Sequence, residues 1–148
     1  MSKKITAQQV IIRIKDQLSD TWKDSSADIF NAGKPDTIVT GIVTSFTPSV
    51  DVLKQAVAAG RNLVITQQPA FYLETEEYLQ NDPAFLYKRD FIDRNNLVLW
   101  RFYDNWNARE EDGQLLALAK ALGWNQYHVH DSSAGMKPYA KANRFFKL

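Results

Sequence analysis

What most constrains this chain is an alternation. Three short runs rich in aliphatic and β-branched residues, at 37–46, 63–66 and 97–103, are separated by segments carrying helix start and stop signals. Strand-like runs alternating with helical ones argue for a mainly parallel sheet joined by right-handed crossovers. The first run holds Ile38, Val39, Ile42 and Val43 and reads as a buried strand. Residues 63–66 make a second buried strand, and Val98, Leu99, Trp100 and Phe102 mark a third.

The helical segments have recognisable ends. Thr6 and Gln9, three apart, fit a capping box, and Val10, Ile11, Ile14 and Leu18 follow on one face. Thr47 and Pro48 read as N-cap and first helical residue of a helix through Val52, Leu53, Ala56 and Val57 that stops at Gly60. Asp82 and Pro83 repeat that signature before Phe85, Leu86, Phe91 and Ile92. Asp112 caps a last helix through Leu115, Leu116, Leu118, Ala119 and Leu122, closed by Gly123. Residues 20–35 read mostly as loop around an apolar patch at Ile29 and Phe30. Residues 104–111 read as polar loop, and 127–130 as a fourth strand. The expected fold class is α/β, a mainly parallel sheet with helices on both faces, in one domain over residues 1–148.

Composition narrows the function. Hydrophobic residues make up 45% and charged ones 24%, as in an ordinary globular domain. Eighteen Lys and Arg against seventeen Asp and Glu leave a net charge of +1, which excludes the broad positive field of a general nucleic-acid or polybasic membrane binder. The lack of cysteine excludes disulfides, thiolate metal sites and a cysteine nucleophile. The basic start is followed by Gln8, Gln9, Arg13, Lys15 and Asp16, which break any apolar run, so neither a signal peptide nor a membrane span is expected. The expected location is cytoplasmic, with no nucleic-acid or membrane partner.

In open α/β sheets ligands bind beyond the carboxyl ends of the strands. That rule selects residues 45–47, 67–72 and 103–109, which should converge on one edge. They supply Gln67, Gln68, Tyr103, Asp104, Asn105 and Asn107 as ligand-binding residues: a set of carboxamides, one phenol and one carboxylate. Carboxamides form hydrogen bonds but do not titrate, so they suit a neutral polar ligand and serve poorly as general acids or bases. They are also poor primary ligands for zinc and similar metals. His128 and His130, followed by Asp131, would share one face of a strand, but two imidazoles at this spacing read as incidental. Thr47 before a helix start reads as a cap rather than a phosphate site. Trp100 and Phe102 read as core, whereas Trp106 and Tyr72 stand in loops where a base could stack. No glycine-rich phosphate loop and no Gly-x-Ser-x-Gly elbow occurs.

Three stretches carry a resemblance: DTIVTGIVTSF at 36–46, NLVITQQPAFY at 62–72 and LVLWRFYDNWN at 97–107. Their order and spacing resemble the Nif-three-like dinuclear metal-centre family, also called GTP cyclohydrolase type two-like. The first helix, Phe30-Asn31-Ala32-Gly33 and Ala121-Leu122-Gly123-Trp124 extend the resemblance over about residues 5–130. It implies an α/β sheet between helices, often assembled as a toroidal hexamer, with two metal ions in its site. The family's ligands include a His-His-Pro or His-Glu-Pro motif and, after the next strand, a histidine and an aspartate or histidine, which in the branch this chain resembles reads His-Asp-His-Trp-His. In this chain Gln67 and Gln68 stand at the first motif, and Tyr103, Asn105 and Asn107 replace the histidines of the second, while Asp104 and Trp106 remain. Members continue into a second half that adds a histidine and a glutamate, and this sequence ends at Leu148, near where that half would begin.

The expectation is a non-catalytic relative that holds neither a cofactor nor the family's two divalent ions. It would bind a small polar or nucleotide-like ligand, or a protein partner, either a second copy of itself or a homologue. The alternative is a metal-dependent hydrolase using Asp104, His128, His130 and residues of a partner subunit.

Overall fold

The computed structural model describes residues 4–18, 22–24, 27–71, 81–108, 113–124 and 126. By its contacts the chain divides into two compact units, Met1–Ala108 and Arg109–Leu148. Among the described residues, the first unit runs α1 (Ala7–Asp16), β1 (Phe30–Ala32), β2 (Ile42–Ser45), α2 (Val50–Ala58), β3 (Leu63–Thr66), α3 (Pro83–Arg94), β4 (Val98–Arg101) and α4 (Asp104–Asn107). In the second unit, α5 covers Gly113–Ala121. The expected strand at 127–130, with His128, His130 and Asp131, lies outside the described residues, as do Tyr72 and Asp112.

The four strands lie in the order β1-β4-β3-β2. β2, β3 and β4 are parallel and in register, Ile42 beside Leu63 and Leu63 beside Val98. β1 is antiparallel to β4, so the sheet is mixed. This strand replaces the loop expected at 30–32. Phe-Asn-Ala is too short to show a period, and a strand forms there because β4 offers it an edge. The Arg101 amide completes the pairing by donating to the Ile29 carbonyl at 2.8 Å.

Helices cover both faces. On one side Leu53 and Ala56 of α2 and Ile92 of α3 bury Val64 and Leu99. On the other, Ala7 of α1 packs with Leu63 and Val98. Trp100 is fully buried. Opposite faces follow directly from the period of two along each strand.

The capping box at Thr6 and Gln9 is present: the Gln9 amide donates to Thr6 Oγ1 at 3.2 Å, and the Thr6 amide donates to Gln9 Oε1 at 3.0 Å. Asp82 caps α3 through the Ala84 amide at 2.9 Å, with Pro83 in the first turn. The start of α2 differs from expectation. Ser49, not Thr47, is its N-cap and accepts from the Val52 amide. Pro48 is buried just outside the helix, where its fixed φ serves the approach rather than the first turn.

The run at 37–46 is strand only over its last part. β2 is an edge strand, and Ile42 and Phe46 are 41% and 60% exposed. The expected burial fails because no fifth strand, among the described residues, lies beyond it. No helix among the described residues is long and apolar enough to cross a membrane.

Candidate functional site

Parallel pairing carries the ends of β2, β3 and β4 to one edge. Two backbone bonds tie their exits together: the Gln68 amide donates to the Phe46 carbonyl and the Phe102 amide to the Thr66 carbonyl, both at 2.8 Å. Thr66 Oγ1 donates to the Gln68 carbonyl at 2.8 Å and folds the chain back at once after β3. The convergence expected of the three segments is therefore present in the described residues.

Residues 104–107 do not form the expected loop. They make a single turn of helix, and a distant residue holds it. The buried Asp28 carboxylate accepts from the amides of Tyr103 (2.5 Å), Asp104 (2.9 Å) and Asn105 (2.9 Å). Those are the donors a helix start leaves unpaired, and a carboxylate there also meets the positive end of the peptide dipoles. Tyr103 stands at the cap position but gives no side-chain bond, so Asp28 supplies the cap from 75 residues away.

The candidate residues separate into two groups. Asn105 turns inward and is 5% exposed. Its Oδ1 accepts from the Lys23 amide, and its Nδ2 donates to the Lys23 carbonyl and to Asp28, each at 2.7 Å. Both of its amide protons are used inside the protein, so Asn105 joins distant segments and offers no donor to a ligand. Half-buried Gln67 meets exposed Asn107, Gln67 Nε2 donating to Asn107 Oδ1 at 3.4 Å. Gln68 and Tyr103 are half-buried beside them, and Asp104 is exposed.

Four contributors have no signal in the local sequence. Asp28 is one. Asn31 Oδ1 accepts from the Ala70 amide at 3.1 Å and anchors the loop after β3 to β1. Arg101 donates from Nε to the Gln67 carbonyl at 3.1 Å, with its guanidinium carbon 4.7 Å from the Tyr103 ring centre. Lys88 of α3 donates from Nζ to the Ala70 carbonyl at 2.5 Å. Burial lowers the Lys88 pKa, because water that would stabilise the ammonium is excluded. Trp100 stacks on Phe102 with ring centres 4.9 Å apart, and Phe102 meets Trp106 edge-on at 5.8 Å. Trp106, read as free to stack a base, leans its edge on Phe102 instead.

The donor set does not fit a pair of divalent metal ions. Gln67, Gln68 and Asn107 are neutral amides, and Asp104 is the one carboxylate of the set. Among the described residues no three His, Asp or Glu side chains come together.

No protein-family model and no curated protein matches this sequence. Solved structures do match in fold. A Bacillus cereus protein related to NIF3 is similar at TM-score 0.64 and 18% identity, over 84% of this chain and 34% of that one. Staphylococcus aureus protein SA1388 is similar at TM-score 0.65 and 16% identity, over 83% and 35%. Protein YbgI, of unknown function, is similar at TM-score 0.61 and 23% identity, over 80% and 47%. This chain thus spans between a third and a half of the length of these structures. The fold implied by the three sequence stretches is the fold observed.

Proposed function

We propose that this chain, which has the fold of the NIF3-related proteins, is a non-catalytic binding domain that holds no metal at the carboxyl edge of its sheet. The ligand is a small polar or nucleotide-like molecule met by Gln67, Gln68, Tyr103, Asp104 and Asn107. The observation that carries the reading is the contact of the Gln67 and Asn107 carboxamides at 3.4 Å. Two neutral amides at the strand ends can orient a polar ligand by donating and accepting, but neither can shuttle a proton or hold a borderline metal strongly.

Elemental analysis of untagged protein, with and without added zinc, iron and manganese, tests the reading. Less than about a tenth of an ion per chain is expected. One or two retained ions per chain would support the metal-dependent hydrolase instead, with Asp104, His128 and His130 as the first residues to substitute.

A second observation favours association with another copy. Among the described strands β2 lies at the edge, and no charged residue occurs between Asp36 and Asp51. Natural edge strands are commonly guarded by charge. Here Arg61 donates to the Ile42 carbonyl at 3.4 Å, and Ile42 and Phe46 stay exposed.

A further inference from the structure

Two half-buried cations stand at the carboxyl edge, and among the described residues neither meets a carboxylate. Arg101 donates from Nε to the Gln67 carbonyl, and Lys88 donates from Nζ to the Ala70 carbonyl. Both therefore grip the same loop, residues 67–71, from opposite ends. Lys88 Nζ also lies 5.2 Å from the Phe71 ring centre. The buried acid of the region, Asp28, has both oxygens occupied by N–H donors of residues 103–105. The one ion pair among the described residues, Arg94 with Asp90, is on the exposed side of α3.

The two cations differ in what they leave unused. Lys88 directs its ammonium at a carbonyl and a ring. Arg101 spends Nε on Gln67, and its guanidinium carbon lies 4.7 Å from the Tyr103 ring centre. Its terminal nitrogens then carry four further donors, in the fork that matches paired oxygens of a carboxylate or phosphate. No protein acceptor among the described residues takes them. A cation partly withdrawn from water without a counter-charge destabilises the fold, and an anion arriving from solution relieves that penalty. Arg101 holds Gln67 by its carbonyl, and Gln67 meets Asn107 by its side chain, so the same chain of contacts carries further amide donors.

We infer that Arg101 forms an oxyanion subsite of the carboxamide edge, taking a carboxylate or phosphate group of the ligand on its terminal nitrogens beside Gln67 and Asn107. This rests on the ligand-binding reading above and narrows it to anionic ligands. Uncharged carboxamides then orient the rest of the molecule.

The test is a titration of metal-stripped protein with orthophosphate and with acetate, at constant ionic strength set by chloride, followed by backbone and arginine Nε–H resonances. Saturable shifts at Arg101, Gln67 and Tyr103 are expected, and the anion that gives them identifies the source as phosphate or carboxylate. Arg101→Gln should weaken binding about tenfold or more. Arg101→Lys, which keeps the charge but not the fork, should fall between the two. Undiminished binding by Arg101→Gln overturns the subsite, provided its spectrum shows a folded sheet. Shifts from neither anion overturn it as well. If a neutral nucleoside shifts the same resonances while both anions fail, the inference falls and the ligand-binding reading stands.

Discussion

Asp28 shows how much of the site can hang on one side chain. Its carboxylate accepts three backbone amides and one side-chain amide, and all four donors belong to residues 103–105. Asp28→Ala leaves those donors without their partner in a largely buried place. A loss of about 3 kcal/mol is expected, read as a shift of the urea midpoint at unchanged slope. A loss below about 0.5 kcal/mol would mean that water replaces the carboxylate at little cost. Lys88 gives a second prediction, through pH. Burial holds its pKa below the ordinary 10.5. Between the folded value and the unfolded one, the unfolded chain binds more protons, so stability rises with pH across that window. Below it, the buried charge weakens the fold. Lys88→Met should lack this rise. Urea midpoints of both proteins, followed from neutral pH to 10.5, should show the wild type gaining on the variant. Parallel curves would remove burial as the cause.

The elements are held by their ends more than by their length. α2 and α3 close in the same way, with the third residue past the helix end reaching back into the last turn. The Arg61 amide donates to the Ala56 carbonyl, and the Leu97 amide to the Ile92 carbonyl. The turning residues are Gly60 and Asn96, both at positive φ. This closure was legible at Gly60, because glycine at that position is its usual sign, and silent at Asn96. Gly33 follows directly on β1 rather than on a helix. Its φ is 78°, and an added Cβ would stand 2.2 Å from the Leu97 carbonyl oxygen. Gly33→Ala should therefore pull β1 off β4 at a cost of about 2 kcal/mol or more, with faster hydrogen exchange at Phe30 and Arg101. Unchanged exchange there would show that the backbone can shift to admit the methyl group.

At the scale of the molecule, an edge strand without charge predicts association. On the face of β2 away from α2, Ile42, Thr44 and Phe46 alternate outward, all exposed. Antiparallel pairing of two copies about Thr44 would set each Ile42 opposite a Phe46, an aromatic and β-branched pair of the kind that stabilises a sheet. Phe46→Lys should then halve the mass measured by sedimentation while leaving the circular dichroism spectrum unchanged. A wild-type chain that sediments as a monomer would overturn this reading of the edge. The sequence by itself determined what depends on near neighbours: the capping box at Thr6, the cap and proline at Asp82 and Pro83, the three parallel runs, and the rule that brings their ends together. Each rests on residues within one or two turns of each other, or on a period that survives any packing. Only the tertiary structure decided what depends on distant partners. Phe30-Asn31-Ala32 is a strand because β4 has an edge to offer. Asn105 is structural because Asp28 and Lys23 arrive beside it, and Arg101 reaches Gln67 because β3 and β4 run parallel. These partners lie some 30 to 80 residues apart, and no local pattern of side chains encodes a contact across that distance.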